Sequence, residues 1–543
     1  MSVWRRLLKV GSVADSMSIY VPAVVFHKGL GLLRVLVFVH FMRHAEAEYG
    51  LWQLSVMLFT FVAPLLTLGS NHGLVRYVSF YEARGRLDHF YRRARRGVLI
   101  CAAGGVALAV LAAPGAARLL VLFRAAGTAG ASVVELTRLC VAAAVNAFAL
   151  ALYMNMVGFL VGMRVYRLVA AVEILFSLAF VILGVAALAV LPTSLSLLAA
   201  HAGALVVALG AGLAALHAAA GRAGGEWTPR EAKEAVVIEP TGAGDEVTGT
   251  TAYAGGMGDR PDRGVMARVL RFGAVAMVAN LLWVAAQYVS FVATYLRGGE
   301  ARAGIYGIYL QLSQATLFLA NAAWAVVLTH VARRWEGRQH TTAMLVLETS
   351  YKAVAMTLMA LTLAIYAAAP LWVRILPSAY QAGLPLLGGL LLFFQTVTHL
   401  ALVTMLAKLH ERPAAIAAAA LAGGALNAIL AWRWMSGGWF AMPAEGAAWA
   451  AGVGMFVGAL VVAGGYVLWT RTRLRASTWF VLLSPAVLIG GLWGLRWRLV
   501  AVWGGVCLLA LITPLLFDAR EKRILLVAVR RVWGTAGKVI GRC

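Results

Sequence analysis

The chain has 543 residues, 62% of them hydrophobic and only 13% charged, with a mean hydropathy of +0.83; an ordinary soluble domain carries about 25% charged residues. That balance excludes a soluble enzyme or binding module and requires a polytopic membrane protein. The formal net charge of +25 does not mark a nucleic-acid surface, because most Lys and Arg fall in short loops expected to face the cytoplasm, where cations resist translocation and meet anionic lipid headgroups.

A basic start (Arg5, Arg6, Lys9) leads into span 1, about 18–42. No small-residue cleavage site follows, so a signal peptide is not expected. Pro22 fits the first turn of this helix. Span 1 carries His27, Lys28 and Arg34 at membrane depth, where an ionised side chain costs roughly 2.5 to 3.5 kcal/mol on insertion scales. His27 and Arg34 share a helix face with Gly31, and Lys28 points about a quarter-turn away. A short polar turn containing Glu46 and Glu48 precedes span 2, an apolar run of about 51–68. Roughly 20 helical residues match a hydrocarbon core about 30 Å thick. Arg76, Arg84, Arg86, Arg92, Arg93, Arg95 and Arg96 then read as one cytoplasmic loop, which sets the orientation of the chain.

Span 3 covers about 97–122, with Pro114 near its outer end, and span 4 about 136–161; Glu135 and Arg138 beside it read as a local pair. Arg164 and Arg167 mark the next inner turn. Span 5, about 168–191, contains Glu173, and span 6 covers about 194–216. Residues 217–267 change to Gly, Thr and mixed charge, the composition of a disordered cytoplasmic linker without a phosphate-loop spacing. Spans 7 to 12 follow at about 269–296, 305–332, 344–368, 384–406, 414–434 and 446–469. Arg333, Arg334 and Arg338, the turn 408–412, and Arg471, Arg473 and Arg475 lie between them on the inner side. Spans 13 and 14, about 479–495 and 499–517, leave a basic amphipathic tail, 518–543.

The expected fold is all-α, with about 14 transmembrane helices and both termini cytoplasmic. Residues 1–216 form an N-terminal lobe, 217–267 the linker, 268–469 a C-terminal lobe, and 470–543 two further helices with the tail. Tyr49-Gly50-Leu51-Trp52 opens span 2 and Tyr306-Gly307-Ile308-Tyr309 opens span 8. A six-span repeat keeps its orientation, so the lobes would be related by an axis along the membrane normal, with a site between them.

The YGLW opening of span 2, the following GLVRYVSFYEARGR and the GIYGIY at span 8, within a plan of six plus six plus two helices, resemble the polysaccharide biosynthesis (O-antigen-type) flippases of the multidrug/oligosaccharidyl-lipid/polysaccharide exporter superfamily. The resemblance implies movement of a polyprenyl-linked oligosaccharide to the external leaflet by alternating access. The lipid II flippase branch has two basic residues six apart in its first helix, which here fall on Lys28 and Arg34. Many relatives carry an acid in the outer third of span 7, where this chain reads Ala285-Ala286-Gln287-Tyr288.

Lys28 and Arg34 are therefore the leading ligands for an anionic headgroup, since a phosphate offsets their cost by charge-assisted hydrogen bonds; snorkelling of Arg34 to the outer headgroups is the alternative. Arg76 and Lys352 are further candidates, although Arg76 also serves as an orientation signal and Lys352 as a local partner of Glu348. His27, Glu173, Asn280, Gln287 and Asn321 are candidates for a polar cavity, as is Gln311, against the alternative that such residues fasten helices together. Two rivals stand beside the flippase: a cation-coupled multidrug exporter, which needs a membrane carboxylate absent from spans 1 and 7, and a membrane glycosyltransferase using the Glu46/Glu48 pair. Cys101, Cys140, Cys507 and Cys543 have no metal spacing. The expectation is a monomeric plasma-membrane transporter with no enzymic step and no cofactor, in contact with membrane lipids and polysaccharide-assembly proteins.

Overall fold

The first apolar run becomes one helix of 29 residues, α1 (Val13–Phe41). It starts ahead of the sequence expectation, so Pro22 lies inside the helix and not in its first turn. The computed structural model describes residues 13–42, 45–82, 87–124, 130–163, 165–222, 265–317, 339–410, 414–436, 442–493 and 496–526, with residue 440 and isolated positions at 320–335. Outside the described residues lie Asn321, the linker from 223 to 264, the tail beyond 526, the side chain of Arg76, and Arg5, Arg6, Lys9, Arg84, Arg86, Arg164, Arg333, Arg338 and Arg412.

α2 (Glu46–Leu66) ends where Leu68 and Gly69 adopt φ of 48° and 65°. The chain turns there into α3 (Ser70–Glu82), which the sequence analysis had placed in a loop. Leu74, Val78 and Tyr81 recur at helical spacing and are buried, which gives α3 one apolar face. α4 (Leu87–Leu122) begins nearly three turns ahead of the apolar run, so Arg92, Arg93, Arg95 and Arg96 are helical and exposed. α5 (Val133–Gly162) opens on a capping box in which the Glu135 carboxylate accepts from the Ser132 N–H at 2.7 Å. Glu135 thus caps its own helix instead of serving mainly as a partner for Arg138. α6 (Tyr166–Val190) and α7 (Ser194–Arg222) complete the N-terminal half. Glu48 accepts from the Ser194 N–H at 2.7 Å, so one acid of the candidate metal pair caps α7.

α8 (Val265–Ser313) joins span 7 to the start of span 8 without a loop: Gly299, at φ 79° and ψ 179°, interrupts it. That backbone region is essentially restricted to glycine. α9 (His340–Trp372), the short α10 (Ser378–Gln381), α11 (Leu386–His399), α12 (Ala401–Leu409), α13 (Ala414–Ser436) and α14 (Pro443–Thr470) follow. α15 (Ala476–Leu483) passes into a 3₁₀ segment, Ser484–Trp493, and α16 (Arg496–Ile512) ends the bundle. Among the described residues, 11 segments are long and apolar enough to cross a membrane, one of them folded back at Gly299, and two shorter apolar helices follow.

The N-terminal and C-terminal halves meet mainly where α2 and α3 lie along α8. Gly69 faces Gly273 toward the arginine-rich side, and Gly50 faces Glu300 and Gly304 toward the opposite side. Gly307 packs on Gln53, so the two YG repeats sit next to each other. In lipid no hydrophobic force joins helices, and close backbone approach at small residues supplies the association. The halves thus touch at both ends of this seam. Gly50→Ala would drive a methyl into the Glu300 carbonyl; we expect a loss of about 1–3 kcal/mol, read as a lower midpoint in detergent thermal melting.

Candidate functional site

Span 1 turns its polar residues toward α6. His27 Nδ1 shares a hydrogen bond of 2.5 Å with the Ser177 hydroxyl, and Lys28 lies within electrostatic reach of the Glu173 carboxylate. The Glu173 carboxylate therefore faces the cation of α1. Arg34, two turns beyond His27 on the same face, stacks its guanidinium 4.4 Å from the centroid of Phe180. It also lies near Tyr49 and His201, and among the described residues no carboxylate forms a salt bridge with it. A cation over an aromatic face contributes about 2 kcal/mol when desolvated, less than a paired carboxylate would supply.

Beside Arg34 is a ring of aromatics that the sequence analysis missed. His201 on α7 stacks on Phe59 at 4.7 Å, meets Phe180 edge-on at 4.9 Å, and is flanked by Phe176 at 5.6 Å and Trp52 at 6.0 Å. Its Nδ1 is 2.9 Å from the Asn146 Oδ1 of α5. Trp52 and Phe59 come from α2, Asn146 from α5, Phe176 and Phe180 from α6 and His201 from α7, and the packing of these four helices brings them together.

On the C-terminal side, Asn280 and Gln287 of α8 are half-buried. Gln311 donates to Gln53 Oε1 across the two halves at 3.0 Å. This amide pair bridges the two halves.

Lys352 does not join this group. It is fully buried and donates to Glu521 at 2.8 Å, to the Leu516 carbonyl at 2.6 Å and to the Ser477 hydroxyl at 3.1 Å. Glu348 is not its partner: that carboxylate accepts from the Thr478 hydroxyl and from the Arg475 N–H. Glu521 is also 3.1 Å from Arg475, which pairs with Asp518 at 2.8 Å. The Lys352 ammonium thus fastens the segment after α16 to α9. Periodicity along one helix could not reveal a partner that lies 169 residues later.

Solved structures share this architecture. A MATE crystal structure in complex with MaL6 matches with a TM-score of 0.57 at 14% identity, covering 87% of this chain and 100% of the other. The fold is that of the MATE transporters. A MOP superfamily transporter from Pyrococcus furiosus, whose reversed binding-pocket polarity is said to suggest a different function, matches with a TM-score of 0.54 at 15% identity over 87% of this chain and 100% of its own. An outward-facing multidrug resistance MATE family transporter of the MOP superfamily matches at 0.53 and 15%, with the same coverage. No family model matches the chain, and no curated protein matches its sequence. The MATE-type fold and the apolar helices make this a multi-pass membrane protein.

Removing one partner of a buried ion pair leaves an uncompensated charge and costs about 3–5 kcal/mol. Lys352→Met is expected to lower the thermal midpoint accordingly, and Lys352→Met with Glu521→Leu to recover much of it; melting in detergent compares the two. Asp518 adds a pH dependence, because the Glu521 N–H and then Arg475 hold its carboxyl below the usual range. Its contribution is full above the ordinary carboxylate pKa and is lost as pH falls through the lower folded value.

Proposed function

We propose that this protein moves a lipid-linked oligosaccharide with an anionic phosphate or pyrophosphate head from the cytoplasmic to the external leaflet by rocking its two halves in alternating access. The observation that carries the reading is Arg34, a cation at membrane depth whose partner is the Phe180 ring and not a carboxylate. An anionic head would supply the missing counter-charge through charge-assisted hydrogen bonds. Lys28, balanced by Glu173, would add a second cation when that carboxylate is displaced or protonated. Asn280, Gln287 and the Gln53–Gln311 pair would offer amides suited to sugar hydroxyls, and His27, hydrogen-bonded to Ser177, would hold α1 against α6. Arg76 stays a candidate for the inner approach to the site.

The polyprenyl tail would remain in the bilayer while the head crosses between the halves. Under an interior-negative potential, each phosphate charge moved outward gains about 2.3 kcal/mol per 100 mV. No bond is made or broken. A second reading, a cation-coupled multidrug exporter, is favoured by Glu173, a carboxylate at membrane depth against α1, and by the MATE-type fold.

Reconstituted liposomes with a fluorescent polyprenyl-pyrophosphate sugar separate the two. We expect protein-dependent translocation that falls at least about tenfold in Arg34→Gln, a loss of about 1.4 kcal/mol of binding or barrier energy, and falls also in Lys28→Gln. Proton- or sodium-dependent export of an organic cation that Glu173→Gln abolishes, without movement of the lipid, would overturn the flippase.

A further inference from the structure

We propose that Arg124 and Glu300 form an ionic latch that holds the two halves together on the side opposite the arginine-rich turn. The proposal rests on the alternating-access reading. Arg124 follows α4 in the N-terminal half, and Glu300 belongs to α8 in the C-terminal half. Their side chains meet at 3.1 Å and are only 9% and 8% exposed. Glu300 Oε1 also accepts from the Ala131 N–H at 2.6 Å and lies 3.4 Å from the Tyr295 hydroxyl. Arg124 donates in turn to the Ala131 carbonyl at 3.1 Å and to the Tyr295 hydroxyl at 2.9 Å. One carboxylate thereby gathers the α4–α5 connection of one half onto the helix bend of the other.

Two features distinguish this cluster from a static fastening. First, it spans the line along which the halves must separate: Gly50, in the N-terminal half, touches the Glu300 backbone itself. The Lys352–Glu521 pair lies wholly within the C-terminal part and need never open. Second, Glu300 directly follows Gly299, whose φ of 79° turns the chain back, so the acid sits at a helix end near the water boundary. Charges parted there are rehydrated, whereas charges parted at the bilayer centre would not be. The pair is therefore strong enough to hold a closed side yet able to release.

Site-directed labelling tests the latch without any substrate, so its failure would leave the flippase reading standing and the converse. In a protein with Cys101, Cys140, Cys507 and Cys543 replaced, Gln311→Cys places a thiol one turn beyond Gly307, behind the Gly50–Gly304 contact. A membrane-impermeant maleimide applied from the Arg124 side is expected to react slowly with the parent and at least about tenfold faster with Glu300→Gln or Arg124→Ala. The charge swap Arg124→Glu with Glu300→Arg is expected to restore protection. Parent-like labelling of both single variants overturns the latch, as does faster labelling that the swap fails to reverse. Ala448→Cys, buried within the C-terminal half, controls for folding. If a single variant exposes it too, the swap alone decides: protected Gln311→Cys supports the latch and exposed Gln311→Cys overturns it.

Discussion

The rest of the structure depends on the close approach of α2 and α3 to α8. Helices in lipid gain nothing from hiding apolar surface from one another, so a stable contact needs backbones near enough for dispersion to accumulate. Gly50 against Gly304 and Gly69 against Gly273 meet that condition at the two ends of the seam. Polar links between the halves include Gln53 with Gln311 at 3.0 Å, the Tyr380 hydroxyl donating to the Met42 carbonyl at 2.9 Å, and the Arg124–Glu300 cluster.

Charge in this bundle is divided by purpose. Near the α15 end of α9, Lys352 and Glu521 cancel each other and tie the last helices down. Along α1 the cancellation is incomplete: Lys28 has the Glu173 carboxylate within electrostatic reach, but among the described residues no carboxylate forms a salt bridge with Arg34, which meets the Phe180 ring. Ionisable residues at membrane depth are costly, and those that persist face the interior of a bundle or a cavity. The ring of Phe59, Phe176, Phe180, Trp52 and His201 gives that cation a rigid wall, since stacked aromatics hold few rotamers.

The MATE-type fold by itself is silent on cargo, because one architecture hosts many specificities and the site carries the chemistry. The argument for an anionic head therefore stands on Arg34 and Lys28, and the argument for a cationic drug on Glu173. These residues share one helix seam, so what decides between them is which charge the working cycle leaves unpaired.

Much of the architecture was legible in the chain. Apolar run lengths, basic turns and the two YG openings determined an all-helical, multi-pass protein, because the bilayer fixes the length of a span and repels unpaired charge. The seven-residue spacing of His27 and Arg34 placed both on the face that meets α6. Helix ends were misjudged where the hydrocarbon was left behind: α3 and the first turns of α4 are helical because apolar faces pack on neighbours, not because they are hydrophobic throughout. The partners of Lys352, Glu348, Glu48 and Glu135 were decided by tertiary structure or by local capping. So were the gathering of His201 with its aromatics and the meeting of Arg124 with Glu300. Sequence spacing reports which residues share a face of one helix; which face meets which is settled only when the helices pack.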